Sequence, residues 1–382
     1  MKTPIYLDYA ATTPCDPIVV AALSKCLTLD GNFANPASRS HFYGWQAEAA
    51  VEKARKQVAT LLNADTREIV WTSGATEANN LAIKGAAIAR AEKGRHVISS
   101  LAEHKAVIDS VYFLEKQGYE ITWVKPEKTG EVSVSSIEKA IRPDTVLITT
   151  MHVNNETGAI SNIEGISKLA QERNILFHVD AAQSAGKISI DTNKIFADMI
   201  SVCAHKVYGP KGIGALYVRK KPGFVLPAQI HGGGHEQGMR SGTLATHQIV
   251  AMGAAFELAG NLMNQESSKL LALKTLFLEK VLTHKSVFLN GSIDKSVPGI
   301  ANLTFKGVDG QVLLSALPML AISSGSACNS ATVAPSHVLT SMGVSEKEAL
   351  SALRFSFGRF TSQEEVAYAA DSLVNVLNKL VS

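Results

Sequence analysis

Apolar and polar positions along the chain alternate between two rhythms. Between residues 45 and 62, Ala47, Val51, Ala54, Val58 and Leu61 recur at helical spacing, with Glu52 and Lys56 as an i,i+4 pair on the polar side, which predicts an amphipathic helix. Short apolar runs then take over. Glu68-Ile-Val-Trp-Thr reads as a strand, followed by the tight turn Ser73-Gly-Ala-Thr76 and a helical pattern from Glu77 onward. His96-Val-Ile-Ser-Ser precedes a helix over 104–117, and Ile121-Thr-Trp-Val, Thr145 to Val153, 175–180, 199–203 and 213–218 read as further strands. Such alternation predicts an α/β domain with a mainly parallel sheet, which binds ligands beyond the carboxyl ends of its strands. Beyond residue 260 the pattern changes to a long helix over about 262–284, a few strands and a closing helix from Glu364. We expect a large domain over 15–260 and a smaller α+β domain built from 1–14 and 261–382.

Composition narrows the function classes. With 46% apolar and 19% charged residues the chain suits a globular enzyme and is too apolar for disorder. A net charge of +3 over 382 residues gives no reason to invoke nucleic acid or an anionic membrane. Asp8 and two prolines interrupt the amino terminus where a signal peptide needs an apolar core, and no run approaches a membrane span, so a cytoplasmic protein is expected. The four cysteines, Cys15, Cys26, Cys203 and Cys328, show neither metal-ligand spacing nor a C-x-x-C pair. Neither a metal site nor a disulfide framework is expected, and a cysteine with a chemical task must act as a lone thiol.

The candidate chemistry gathers at strand ends. The apolar run Met199 to Val202 stops at His205-Lys206 and a Gly- and Pro-rich turn. A lysine there, partly desolvated and flanked by cations, can form a Schiff base with a carbonyl. Asp180 ends the preceding apolar run, and a lysine with a buried carboxylate on a neighbouring strand is the pair a pyridoxal phosphate site needs. The turn Ser73–Thr76 alone reads as an ordinary helix N-cap; beside Lys206 and Asp180 it reads better as a phosphate cup of backbone N–H groups and the Thr76 hydroxyl. Cys328 stands among Gly and Ser residues, with no large neighbour to bury it, as a reachable nucleophile. Arg354 can fork a carboxylate or serve equally well in a structural ion pair. The glycine-dense stretch His231 to Thr243 has no core explanation; a flexible connection accounts for its glycines but not for the charged and hydroxyl residues among them.

Several of these segments together carry a resemblance. They are Gly31-Asn-Phe-Ala-Asn-Pro-Ala-Ser with His41-x-x-Gly44, Thr72-Ser-Gly-Ala-Thr-Glu, Glu103-His-Lys, His152-Val-Asn-Asn-Glu and His178-Val-Asp-Ala-Ala-Gln. Ala204-His-Lys-x-Tyr-Gly-Pro-Lys-Gly, Gly232-Gly-Gly-His-Glu-x-Gly-Met-Arg-Ser-Gly-Thr and Ser323-Ser-Gly-Ser-Ala-Cys-x-Ser complete the set. From Tyr6 to about Phe360 the chain resembles the group I cysteine desulfurases of the IscS/NifS type, in the class V aminotransferase family. The resemblance implies fold type I of pyridoxal-phosphate enzymes, with a mainly parallel seven-stranded sheet, as a homodimer. It implies that Lys206 carries pyridoxal 5'-phosphate, Asp180 pairs with the ring nitrogen and His104 stacks on the ring and moves protons. Gln183 and Asn155 would contact the ring's phenolic oxygen or the substrate. Gly74, Ala75, Thr76, Cys203 and His205 would hold the phosphate, helped by Thr243 from the second subunit. Asn155 and Arg354 would clamp the carboxylate of L-cysteine, and Cys328 would take its sulfur as a persulfide for an acceptor protein such as an iron–sulfur scaffold or a thiolation factor.

The chain departs from the family twice. Cys203, a weaker donor, stands where the family has a serine, and the family's scaffold-docking tail lies past the last helix, where this sequence stops at Ser382, so transfer to that scaffold is a weaker expectation than the desulfurase reaction. An aminotransferase or another lyase of the same fold, a selenocysteine lyase and a non-catalytic sulfur-relay protein are the competing readings.

Overall fold

A computed structural model describes residues 3–222, 224–324 and 334–381. Eight strands precede residue 220: β1 (Ile5–Tyr6), β2 (Ile69–Thr72), β3 (His96–Ser100), β4 (Glu120–Val124), β5 (Thr145–Met151), β6 (Leu176–Asp180), β7 (Met199–Cys203) and β8 (Gly214–Val218). Seven of them form one sheet in the order β2-β8-β7-β6-β5-β3-β4. The pairs β3–β4, β3–β5, β5–β6 and β6–β7 are parallel, while β8 runs antiparallel to both β7 and β2. This is the mainly parallel seven-stranded α/β sheet expected from the sequence.

The central strands are apolar on both faces because helices cover both. Trp71, Ile98, Ile148, Phe177, Val179, Ile200 and Val202 share one core with helix Phe42–Leu62 and helix Ile163–Glu172. Val70, Val97, Leu147, Leu176, Met199 and Leu216 face the opposite way, into a core shared with helix Ala75–Ala89 and helix Lys105–Lys116. Neighbours in sequence thus alternate between the two cores, as the two-residue period of a strand requires.

Five strands follow: β9 (Val287–Asn290), β10 (Ile300–Phe305), β11 (Leu320–Ala321), β12 (Ser323–Ser324) and β13 (Ala352–Ser356). Four of them form an antiparallel sheet in the order β12-β13-β10-β9, and β11 pairs in parallel with β1. Leu7 enters the core that Phe277, Phe305, Phe355 and the closing helix Gln363–Leu380 build, so the amino terminus is stitched into the carboxyl-terminal unit.

The long helix expected over about 262–284 runs instead from Thr246 to Val281. Its first half carries no polar stripe to reveal a period. Ile249, Met252 and Phe256 face the core of the large sheet, and Ala251 and Ala255 meet Val19 on another side. Its second half, through Leu273, Phe277 and Val281, belongs to the other core. We propose that the two domains divide inside this helix, near residue 260.

The glycine-dense stretch is a built loop. Gly232, Gly233, Gly234 and Gly238 take positive φ angles of 130°, 69°, 65° and 81°, which glycine adopts without steric cost. They lead the chain around Glu236, whose buried carboxylate takes a forked pair of bonds from Arg55 at 2.8 and 2.9 Å and a third from the Trp71 backbone N–H at 2.8 Å. Replacing Glu236 with Ala leaves the buried Arg55 only Glu52 at 3.0 Å and the Ile69 carbonyl at 2.8 Å, and strands the Trp71 N–H. We expect Glu236→Ala to lower unfolding free energy by about 3–5 kcal/mol in urea denaturation. A loss under about 1 kcal/mol would show that the loop holds its shape without this anchor.

Candidate active site

β6 and β7 are parallel neighbours, so their carboxyl ends reach the same edge of the sheet, where Asp180 closes one strand and Lys206 lies three residues beyond the other. At that edge is a cavity of about 750 Å³. Gly74, Ala75, Thr76, His104, Asn155, Asp180, Gln183, Cys203, His205, Lys206 and Arg354 all line it. Thr243 does not: it is exposed and lies outside the lining. Cys328 lies outside the described residues. Its described flanks are at the cavity all the same, since Ala334 and Pro335 line it and Ser323 pairs with Arg354 across β12 and β13.

Lys206 is held from the amino-terminal segment. Its Nζ donates to the carbonyls of Ala10 and Ala11 at 2.5 and 2.7 Å. Asp180, 5% exposed, accepts from Asn79 Nδ2 at 2.8 Å and from the Ala182 N–H at 2.9 Å. Both bonds use the carboxylate as an acceptor and fix its orientation.

The helix Ala75–Ala89 opens at the cavity with no side chain capping it. A Cβ on Gly74 would meet nothing within 4 Å, so the space above this terminus is open. β8 passes so close beneath that a Cβ on Gly214 would sit 2.7 Å from the Gly74 Cα and 2.6 Å from the Val202 carbonyl, which leaves only glycine there. Uncapped N–H groups and the positive end of the helix favour an anion. Glu77, in the first turn, is engaged by Arg240 at 2.8 Å, which links this turn to the glycine-dense loop.

Two histidines at the site are neutral. Burial chiefly, and then Lys206, hold His104 below its ordinary value, with Asp180 opposing. His104 Nδ1 accepts from the Ala106 N–H at 3.1 Å, so in the neutral ring the proton sits on Nε2. Burial and the neighbouring lysines push His205 down to about 4, and its Nδ1 meets the Thr12 hydroxyl at 3.2 Å. Cys203 is 1% exposed, and burial raises its thiol to about 11, so it is a protonated, weak donor.

Arg354 forms the structural ion pair and stands at the cavity as well. It lines the cavity while its Nη2 pairs with Asp8 at 2.7 Å and its Nη1 donates to the Asn155 carbonyl at 2.8 Å. Its Nε and the Oδ1 of Asn155 are buried without a partner among the described residues, the state of groups built to meet a ligand.

Sequence reasoning missed Asn79, Asp8, Glu103 and the role of Glu156. Asn79 was detectable as a lone amide among the apolar positions of its helix, whereas the carbonyls of Ala10 and Ala11 leave no trace in side-chain pattern. Glu103 is fully buried and raised well above the usual carboxylate range by burial. Glu156, which accepts from the Ser336 hydroxyl at 2.5 Å, is pushed up to about 7 by burial. Among the described residues no group of three or more His, Cys, Asp or Glu side chains could hold a metal ion, and no helix is long and apolar enough to cross a membrane.

Residues 5–368 match the model of the class-V aminotransferases, and the chain belongs to that family. Cysteine desulfurases are among its relatives. Cysteine desulfurase IscS of Pseudomonas aeruginosa is 54% identical over 380 residues, which take in 100% of this chain and 94% of that protein. Among solved structures, a NifS-like protein superposes with a TM-score of 0.92 at 31% identity, covering 99% of this chain and 100% of the other. A structure described as SspA in complex with cysteine gives 0.83 at 42% identity, covering 94% and 99%. The resemblance read from the motifs and the fold expected from it both hold.

Glu156 gives a pH signature. Its pKa is raised on folding, so the native state binds an extra proton between the unfolded value near 4.5 and the folded value near 7. Stability from this group is full below about 4.5 and is lost as pH rises through 7, by on the order of 3 kcal/mol. We expect Glu156→Gln to be more stable than wild type at pH 8 relative to pH 5, in urea denaturation at both. Parallel curves for the two proteins would mean that Glu156 is ionised throughout.

Proposed function

We propose that the protein is a cysteine desulfurase that binds pyridoxal 5'-phosphate, moves the sulfur of L-cysteine onto Cys328 and releases alanine. The observation that carries this reading is one cavity lined by a lysine amine, a buried carboxylate, an uncapped helix start and a guanidinium, with the flanks of Cys328 at its rim. The donor set fits the cofactor. Lys206 offers the amine for its aldehyde, Asp180 a carboxylate for its ring nitrogen, and the turn at Gly74, Ala75 and Thr76, with His205 and Cys203, the groups for its phosphate. Bound there, the cofactor supplies an electron-accepting ring that stabilises negative charge at the substrate's Cα.

The chain's own residues do the rest. Arg354 and Asn155 orient the substrate carboxylate, and the neutral ring of His104 exchanges a proton at Nε2. In the net step the Cβ–S bond of L-cysteine breaks, an S–S bond forms on Cys328, and Cβ takes a proton, so one cysteine gives one alanine and one persulfide. Thr243, exposed and away from its own cavity, supports a homodimer in which it serves the second copy's phosphate site. A reducing cytoplasm suits a thiol that must stay free, and the persulfide goes to an acceptor protein such as an iron–sulfur scaffold or a thiolation factor.

Mass spectrometry after incubation with L-cysteine should find one added sulfur on Cys328 and an equal amount of alanine. Cys328→Ala should lower alanine formation by at least about 100-fold. Undiminished amino-acid turnover in that variant would favour an aminotransferase or another lyase. The weak Cys203 donor gives a second expectation. Cys203→Ser should bind pyridoxal phosphate about tenfold more tightly in equilibrium titration, a gain of about 1.4 kcal/mol from one stronger hydrogen bond. Equal dissociation constants would remove Cys203 from the phosphate site.

A further inference from the structure

The carboxamide of Gln183 has a donor end and an acceptor end, and its orientation decides which one a ligand meets. Gln183 Oε1 accepts from Lys187 Nζ at 2.6 Å, and Gln183 Nε2 donates to the Ala10 carbonyl at 2.7 Å. A carbonyl only accepts, so the bond to Ala10 does not survive a flip of the amide, and a protonated Lys187, which has no lone pair to offer, holds the other end in the same sense. One N–H of Gln183 is used on Ala10, and its second N–H remains for the cavity that Gln183 lines. The same Ala10 carbonyl accepts from Lys206 Nζ at 2.5 Å. One run of hydrogen bonds therefore joins two lysines through a glutamine and a backbone carbonyl.

We propose that Lys187 is a positioning residue for the cofactor: it locks the Gln183 amide with its donor end toward the cavity and places positive charge behind Lys206. The placement is built into the fold. Gln183 and Lys187 lie at the two ends of one turn, where Gly186 takes φ 74° and the Lys187 N–H bonds the Ser184 carbonyl at 3.0 Å, and this turn brings their side chains together. Gly186 makes the approach possible. At φ 74° a Cβ there would press within 2.9 Å of both Val207 and Ala259, so the backbone packs directly on the segment that carries Lys206. Lys187 and Lys206 also border a second, smaller cavity together with Tyr208, Glu266 and Arg359.

Ionisable groups facing Lys187 are Lys206, Cys203, Arg354 and Glu266. Burial chiefly, and then Lys206, push Lys187 down to about 7, so its charge is present on the acid side of neutrality. A neighbouring cation opposes protonation at the Lys206 nitrogen, and its removal raises that nitrogen's affinity for a proton.

The inference rests on the pyridoxal phosphate reading above, and the test separates the two. Purified holoprotein is compared with its Lys187→Met and Lys187→Arg variants by following the cofactor's visible absorbance against pH and by titrating apoprotein with pyridoxal phosphate. Lys187→Met should move the absorbance midpoint up by about one pH unit and weaken cofactor binding about tenfold, and Lys187→Arg should bring both back toward wild type. A Met variant with the wild-type midpoint and dissociation constant overturns this proposal alone. Wild-type protein that takes up no pyridoxal phosphate overturns the functional reading and this inference with it. If Lys187→Met does not fold, Lys187→Gln removes the charge while keeping a donor. Its midpoint then decides, a raised value supporting the proposal and an unchanged one sinking it.

Discussion

The grip of two backbone carbonyls on one amine underlies the architecture of the site. Ala10 and Ala11 reach Lys206 from nearly two hundred residues away in sequence, and they do so because the amino-terminal segment is fixed at both ends. Before the grip, β1 pairs with β11 and Leu7 is buried in the carboxyl-terminal core. After it, the Thr13 N–H bonds the His205 carbonyl at 2.9 Å and the Tyr208 N–H bonds the Thr13 hydroxyl at 2.8 Å. The amine that is to carry the chemistry is thus located by both units of the molecule at once. Carbonyls suit this task because they orient an amine without placing a competing charge beside it.

Ionisable groups near the cavity follow a related rule. Three charged groups there meet a partner delivered from a remote stretch of chain: Asp180 takes Asn79, Arg354 takes Asp8, and Glu77 takes Arg240. Carboxyls without such a cation, Glu103 and Glu156, are held toward the neutral form by burial. The histidines at positions 104 and 205 are neutral for the same reason. Desolvation favours the uncharged form of these groups, whereas at Glu77 burial is outweighed by the Arg240 guanidinium, which holds the carboxyl below its ordinary value.

The fold was readable where short apolar runs ended in polar residues. β6 and β7 announced themselves in this way, and Asp180 and Lys206 drew attention because each breaks such a run. The helix start at Ala75 was readable from its glycine turn, although only the structure establishes that no side chain caps it. Other features were hidden for physical reasons. The first half of the Thr246–Val281 helix is packed on more than one side, which erases the periodicity that marks a half-exposed helix. Glu236 looked like one polar residue in a flexible stretch because its partner, Arg55, lies far away in sequence. Lys187 and Gln183 meet across a turn that Gly186 makes at φ 74°, a geometry that spacing along the sequence does not announce. Arg354 stayed ambiguous because lining a pocket and forming an ion pair demand the same residue, and here one side chain does both.

The Thr246–Val281 helix has a mechanical consequence. Its 36 residues make a continuous rod about 54 Å long whose two halves are embedded in different cores. Swinging one unit away from the other would require this rod to break its own ladder of backbone bonds, so wide clamshell opening is disfavoured. Traffic to and from the cavity therefore draws on no hinge between the two cores, and each core keeps its hold on its own half of the rod.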